Sequence, residues 1–105
     1  MSGTVTVADF SAVRTTNEVT CVTTGGYSDI QEGAQVVVTD ASGTTVALGR
    51  LAYGSWNRHT GCVFLFNVPD VPGGHKFYGV EVGHRGRLQY TAEQVAQPLA
   101  LTIGG

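Results

Sequence analysis

Residues 34–51 read AQVVVTDASGTTVALGRL, and this stretch decides the fold class. Both halves are rich in valine and threonine, which strands favour. The middle, Asp-Ala-Ser-Gly at 40–43, has the composition of a tight turn. The pattern therefore predicts two strands, over 34–40 and 44–51, joined as a hairpin.

A change of parity within the second strand predicts a β-bulge. Val46 and Leu48 share one face of this strand. Leu51 and Tyr53 follow with the opposite parity. Gly49 lies at the switch, where one extra residue would restore the register.

Further strands are expected on both sides of this hairpin. The clearest is 62–68, CVFLFNV, in which every second residue is apolar and expected to face inward. Turn residues, PDVPGG at 69–74, separate it from FYGVEV at 77–82. Three more strands are expected over 4–10, 19–24 and 99–103.

These seven strands predict an all-β fold in one domain, residues 1–105. A single sheet would leave an apolar face in water, so we expect two stacked sheets. The expected architecture is a seven-stranded antiparallel β-sandwich with an immunoglobulin-like or transthyretin-like outline. Two short helical turns are expected, at 28–31 and at 91–94, where Thr91 and Gln94 fit a capping box.

Composition narrows the range of partners. Charged residues make up 13% of the chain, its net charge is −2, and its six basic residues are scattered. Nothing in this distribution suggests a basic surface for nucleic acid, so no nucleic-acid partner is expected. No apolar run approaches the roughly 20 residues of a membrane-spanning helix. We expect membrane contact only through an anchor outside this chain.

The two cysteines bear on the compartment. Cys21 and Cys62 lie 41 residues apart on predicted strands that could be neighbours. A disulfide would stabilise the fold by roughly 4 kcal/mol in the chain-entropy model and would indicate an oxidising compartment. The alternative is a pair of buried free thiols, which are common in cytosolic cores.

Several short motifs in fixed order resemble an actinobacterial family. They include GGYSDI at 25–30, CVFLF at 62–66, VPDVP at 68–72 and FYGVEV at 77–82. Proteins of this family resemble small membrane-anchored or lipid-anchored proteins with an exported β-domain of unassigned function. The resemblance implies an extracellular or cell-envelope location, a Cys21–Cys62 bridge, and that this chain is the exported portion of a longer anchored protein.

At the level of fold, the hairpin and the VPDVP segment also resemble transthyretin-like and collagen-adhesin B-type modules. Such adhesin modules often carry a Lys–Asn isopeptide bond. The only lysine here, Lys76, follows a Gly-Gly-His turn instead of lying in the first strand. This departure from the pattern predicts no isopeptide bond.

The residues needed for catalysis are not grouped in the sequence. His59, His75 and His84 fall in three separate turns or strand ends, whereas nucleophilic catalysis needs a nucleophile, a base and an orienting group together. No His-x-x-x-His or Asp-x-Asp-x-Asp spacing suggests zinc or calcium. We therefore expect no catalytic residue, no metal and no cofactor.

One segment has the composition of a binding loop. Residues 52–61 hold the only tryptophan, together with Tyr53, Arg58 and His59. Aromatic and arginine side chains dominate binding hot spots, so these residues are candidate contacts, with Trp56 as the anchor. The alternative is that Trp56 folds back to cap the open end of the core. Tyr27, beside two glycines, is a second exposed-aromatic candidate.

The leading hypothesis is therefore a non-enzymatic extracellular or cell-envelope domain for interaction or scaffolding. One alternative is a small hydrolase or ligand-sequestering protein, and another is a passive structural spacer. Possible partners are a cell-envelope or extracellular protein, or a second copy bound through an edge strand such as 4–10 or 99–103.

Overall fold

A computed structural model describes residues 1–15 and 17–104 of the chain. Within these residues the strands are β1 (Ser2–Val7), β2 (Val13–Thr15), β3 (Thr20–Thr23), β4 (Gln35–Thr39), β5 (Thr45–Asn57), β6 (Gly61–Asn67), β7 (Phe77–Val82), β8 (Arg87–Thr91) and β9 (Leu99–Ile103). The helical elements are 3₁₀ turns at Phe10–Ala12 and Gly25–Tyr27 and one α-helical turn, α1 (Ala92–Val95).

The all-β prediction is confirmed, but the arrangement of the strands differs from the one expected. Seven strands follow one another in the order β8-β7-β4-β5-β6-β1-β9, and the β2–β3 hairpin branches from β5. All of them belong to one curled, hydrogen-bonded sheet, so a division into two stacked sheets is not confirmed. The expectation of antiparallel strands alone is corrected, because β1 and β9 run parallel.

Two strands were missed in the sequence. β2 has three residues and β8 five, with Leu88 and Tyr90 as the apolar members of β8. Such short strands carry little periodic signal.

The expected edge at 4–10 is wrong, because β1 is hydrogen-bonded to β6 on one side and to β9 on the other. The edge expected at 99–103 is present as β9.

The predicted bulge at Gly49 is wrong in position. Gly49 pairs regularly with Val36 of β4. The register of β5 shifts at two other places: before Gly49, next to Val38 of β4, and after Gly49, between Leu51 and Gly54 in the pairing with β6. A side chain at Gly49 would meet a Val68 methyl at 2.8 Å. Gly49 is therefore needed for close packing, and each of the two bulges inverts the inward–outward alternation of β5 where it occurs.

The core fills the inside of the curled sheet. Its largest fully buried side chains are Phe64 and Ile30, surrounded by valines from β1, β4 and β7.

The capping box of α1 is confirmed, since the Thr91 hydroxyl accepts from Gln94 N–H and the Gln94 amide oxygen accepts from Thr91 N–H. The other expected turn lies at Gly25–Tyr27, just before residues 28–31.

The Cys21–Cys62 disulfide is present, and it lies at a sharp corner of the sheet. β3 and β6 flank β5 on opposite sides, so their backbones would be about 9.5 Å apart in a flat sheet. The two Cα atoms are only 5.9 Å apart. The sheet therefore bends strongly at Gly54 of β5, which pairs with Cys21. Glycine commonly marks such bends.

Candidate functional site

The segment expected to be a binding loop is mostly strand. β5 continues to Asn57 and β6 begins at Gly61, which leaves a short turn between them. The Asn57 amide oxygen accepts hydrogen bonds from His59 N–H (2.9 Å) and Thr60 N–H (3.2 Å). Arg58 and His59 are thus exposed at the tip of a hairpin, and the Arg58 guanidinium donates to His59 Nε2 at 3.4 Å.

Trp56 lies on the inner face near this tip. It pairs in register with the buried Cys62 and is itself half-buried. Its ring meets Phe10 edge-on, with 5.5 Å between the ring centres. Trp56 packs against the core at this end and Phe10 packs on Trp56, which is the arrangement expected for a capping residue.

Tyr53 lies on the opposite face from Trp56. Ala52 and Tyr53 form the bulge of β5 and stand opposite the single residue Leu65 of β6. Tyr53 is 57% exposed and Leu65 58% exposed. The structure therefore separates Tyr53 from Trp56 and places it beside Leu65.

Two more apolar residues continue this outer surface. Cys21 pairs with Gly54, which sets the next residue of β3, Val22, beside Tyr53. On the other side Thr4 lies between Leu65 and the exposed Ala100. We call the set the outer apolar patch: Val22, Ala52, Tyr53, Leu65 and Ala100.

A shallow groove of about 650 Å³ runs over part of this patch, between Ala52, Leu65 and Ala100. Arg50 at its border supplies one charge and donates to the Gly33 carbonyl at 3.0 Å. A row of exposed apolar side chains on one face is typical of an interaction surface.

Sequence reasoning missed Leu65 and Val22. In CVFLF the inward row is Cys62, Phe64 and Phe66, so Leu65 is an apolar residue at an outward position. Val22 breaks the alternation of β3 in the same way. These two outward apolar residues were the signal that could have located the patch.

Tyr27 belongs to a separate cluster. The Arg85 guanidinium lies 4.8 Å from the centre of the Tyr27 ring and donates both to the Gly26 carbonyl and to Asp29, the latter at 2.8 Å. Asp29 also accepts from His84 N–H at 3.1 Å. Arg85 thus covers one face of Tyr27, and the cluster ties the loop after β3 to the β7–β8 turn.

The same contacts shift the ionisation of Asp29. Its partial burial acts to raise the pKa of the carboxyl group. Hydrogen bonds from backbone N–H groups, including that of His84, and the charge of Arg85 outweigh this effect and hold the pKa below its ordinary value.

The three histidines lie in different places. His59 is in the β5–β6 turn, His84 follows β7, and His75 contacts Tyr78 edge-on at 5.5 Å before β7 begins. Across residues 1–15 and 17–104, no three or more histidine, cysteine or acidic side chains are grouped so as to hold a metal ion. In the same residues no helix has the length and apolar character needed to cross a membrane.

Comparisons of the chain with protein-family models, with curated proteins and with solved structures found no match.

Proposed function

We propose that this chain is a non-enzymatic interaction or scaffold domain that binds a protein partner through the outer apolar patch. The observation that carries the proposal is the pairing of two half-exposed apolar side chains, Tyr53 and Leu65, on neighbouring strands. Each projects from a rigid sheet. A site held on rigid elements loses little conformational freedom on binding, which favours affinity.

The disulfide supports an extracellular or cell-envelope location for this activity. Cys62 is fully buried and Cys21 nearly so, and disulfides persist mainly in oxidising compartments. The proposed membrane or lipid anchor, the kinship with exported actinobacterial β-domains and a transthyretin-like or immunoglobulin-like relationship rest on the sequence motifs. In this proposal the domain presents its patch to other envelope proteins.

The hairpin tip offers a second contact region. Arg58 and His59 are exposed there, with Trp56 half-buried behind them. Because Trp56 already packs against Phe10, we assign it a capping role and give Tyr53 the role of principal contact among the aromatic residues first singled out.

The chain offers a matched pair of leucines for testing the patch. Leu65 in the patch and Leu48 further along β5 are exposed to similar extents, 58% and 51%. The purified domain, immobilised, would be incubated with a cell-envelope protein extract from an actinobacterium, and bound proteins identified by mass spectrometry. Leu65→Ser should remove a specific partner, whereas Leu48→Ser should retain it.

The same partner bound equally by both variants would show that the patch is not the contact surface. A parallel measurement with Trp56→Ala separates the two regions. We expect this variant to keep the partner but lose about 1–3 kcal/mol of unfolding free energy, because the T-shaped contact and part of the apolar cover are removed. Loss of the partner with unchanged stability would instead make Trp56 the binding anchor.

A further inference from the structure

The two ends of the sheet line one groove. β8 is the first strand in the sheet order and β9 the last. Residues of both strands line the same groove, which has a volume of about 410 Å³. Within the described residues neither strand has a partner on its outer side. The groove is therefore a gap between two unpaired strand edges.

Hydrogen-bonding groups of β8 point into this gap. Ala92 N–H donates to the Lys76 carbonyl at 3.0 Å, so Ala92 belongs to a hydrogen-bonded pair with the strand before it. Bonded and non-bonded pairs alternate in an antiparallel ladder. Tyr90 is therefore bonded to β7, whereas Arg87 and Gln89 direct their backbone N–H and C=O groups away from β7.

The edge of β9 is arranged in the same way. Ala8 N–H donates to the Ile103 carbonyl at 2.8 Å. In a parallel pair, alternate residues of a strand bond to the same neighbour. Leu101 and Ile103 therefore bond to β1, and Ala100 and Thr102 direct their backbone groups toward the gap.

The side chains in the groove are apolar and incompletely covered. Leu88 pairs with Val80, so it shares the inner face with a buried residue, yet it is 50% exposed. Tyr90 also faces inward and is half-buried. Val82 and Ile103 complete the apolar wall. Leu88 and Tyr90 thus lie on the core-facing side without the cover that the other inward residues have.

The charge in the groove favours an uncharged occupant. Its lining contains one charged side chain, Arg85. The Arg85 guanidinium is already paired with the Asp29 carboxylate at 2.8 Å. A charged group entering the groove would lose its hydration without finding a free opposite charge, which is costly.

The position of the gap favours a single extended segment over a folded copy of the domain. β8 borders the gap on one side and β9 on the other. An extended segment needs the width of one strand, about 4.8 Å from each neighbour. The edge strand of a second folded domain would have to enter the space between β8 and β9 together with the core attached to it.

We propose that the groove between β8 and β9 binds an extended, uncharged polypeptide segment with an apolar residue at every second position. The segment hydrogen-bonds to the free edge of β8 at Gln89 and packs its apolar residues on Leu88 and Tyr90. Strand addition of this kind takes its affinity from backbone hydrogen bonds and its specificity from alternate side chains. The inference shares with the proposed function only the idea of a binding domain, and its groove has only Ala100 in common with the outer apolar patch.

The test uses a fluorescein-labelled heptapeptide with free ends blocked, Ser-Thr-Val-Thr-Val-Thr-Ser, and fluorescence anisotropy with the oxidised domain. Two further peptides carry N-methyl groups on the valines or on the threonines. Each methylated peptide keeps all side chains but loses the N–H groups along one edge. We expect the unmodified peptide to bind and at least one methylated peptide to bind tenfold more weakly.

Gln89 supplies a protein variant with a matched control. Its N–H points away from β7, so Gln89→Pro removes a donor from the edge while leaving the β7–β8 hydrogen bonds in place. Gln89→Ala keeps the donor. We expect Q89P to weaken binding at least tenfold relative to Q89A, with circular dichroism confirming that both are folded. If Q89P does not fold, the pair of methylated peptides decides the question.

Three results would overturn the inference: no binding of the unmodified peptide at millimolar concentration, equal binding of all three peptides, or equal binding by folded Q89P and Q89A. Equal binding of the three peptides would mean that the groove is only an apolar surface. Leu65→Ser should bind the peptide as the unmodified domain does, so failure of the groove and failure of the outer apolar patch are distinguishable.

Discussion

At the scale of single residues, Gly54 is one of several glycine positions that leave no room for a side chain. A Cβ atom there would lie 2.5 Å from the Cys21 carbonyl oxygen and 2.7 Å from the Cys62 sulfur. Both contacts are far inside van der Waals distance. The absence of a side chain at Gly54 is therefore what lets the disulfide pass over β5.

Gly54→Ala should lower the unfolding free energy by about 1–3 kcal/mol, the usual cost of overpacking. It should also slow formation of the disulfide. Urea unfolding of the oxidised protein and alkylation of free thiols after refolding measure the two effects. Gly73→Ala is the control, because a Cβ at Gly73 meets no atom within 4 Å. Equal stability of the two variants would show that the corner at Gly54 relaxes freely.

Asp29 predicts a pH dependence of stability. Its pKa in the folded protein is below the ordinary value of 3.8, so the ionised form stabilises the fold. This contribution is complete above about pH 4 and is lost as the pH falls through the folded-state pKa. Asp29→Asn should therefore cost about 1 kcal/mol at pH 7, and the difference from the unmodified protein should shrink toward pH 2.

Urea unfolding of both proteins at pH 7, 4, 3 and 2 checks this prediction. A difference that stays constant over the whole range would mean that the Asp29→Asn variant loses packing and not a charge interaction. Arg85→Gln should show the same trend, because it removes the opposite charge of the same ion pair.

At the scale of elements, the β2–β3 hairpin is the most weakly attached part of the sheet. β3 pairs with β5 through only two residues, Thr20 and Cys21. The disulfide supplies a covalent attachment. The loop after β3 is attached by a hydrogen bond of 2.7 Å from the Gln31 side-chain amide to the Thr23 hydroxyl oxygen. Few hydrogen bonds predict local opening of the hairpin before the rest of the sheet.

Replacing both cysteines by alanine should cost roughly 4 kcal/mol, as the chain-entropy model gives for a loop of this length. The loss should be concentrated in this hairpin. Hydrogen exchange should show the amides of β2 and β3 becoming fast in the variant, while those of β4 and β7 remain comparatively slow. Uniform acceleration across all strands would contradict a local tether.

The same elements show what the sequence could and could not reveal. Strong alternation made β4, β6 and β7 predictable, and the turn between β4 and β5 was readable from Asp40, whose carboxylate accepts from Ser42 and Thr44 N–H. Alternation does not tell which strands are neighbours, because pairing depends on contacts between distant segments. The parallel β1–β9 pair and the gap beside β9 were therefore not foreseen.

The candidate site was predictable only in part, for a related reason. Composition singled out Tyr53 and Trp56, but Tyr53 faces outward and Trp56 inward. A one-residue shift moves every following side chain to the other face. Tyr53 and Trp56 are three residues apart and would face opposite sides even in a regular strand, but the bulge moves Tyr53 off the face of Leu51, with which its parity had grouped it.

At the scale of the whole molecule, the sheet is complete only when β1 and β9, which are far apart in sequence, are both in place. β1, near the amino end, lies between β6 and β9, and β9 follows the last helical turn. Pairing of segments so distant in sequence makes folding slow. A variant ending at Gln97 lacks β9 and should expose the inner faces of Val5 and Val7.

We expect this truncated protein to lose cooperative thermal unfolding and to bind a hydrophobic dye, as partly folded states do. Differential scanning calorimetry and dye fluorescence measure both properties. A sharp unfolding transition with little dye binding would show that the remaining strands form an independent core.

The parallel pairing of β1 with β9 has a mechanical consequence. Gly3 lies opposite Leu99 and Val7 opposite Ile103, so the two strands point the same way. Tension applied to Met1 and Gly104 in opposite directions would slide the strands along each other and load their hydrogen bonds simultaneously, in shear. Strands peeled apart from one end break their bonds one after another and at lower force. A domain held by its two ends would therefore resist stretching until a high force ruptured the whole β1–β9 ladder.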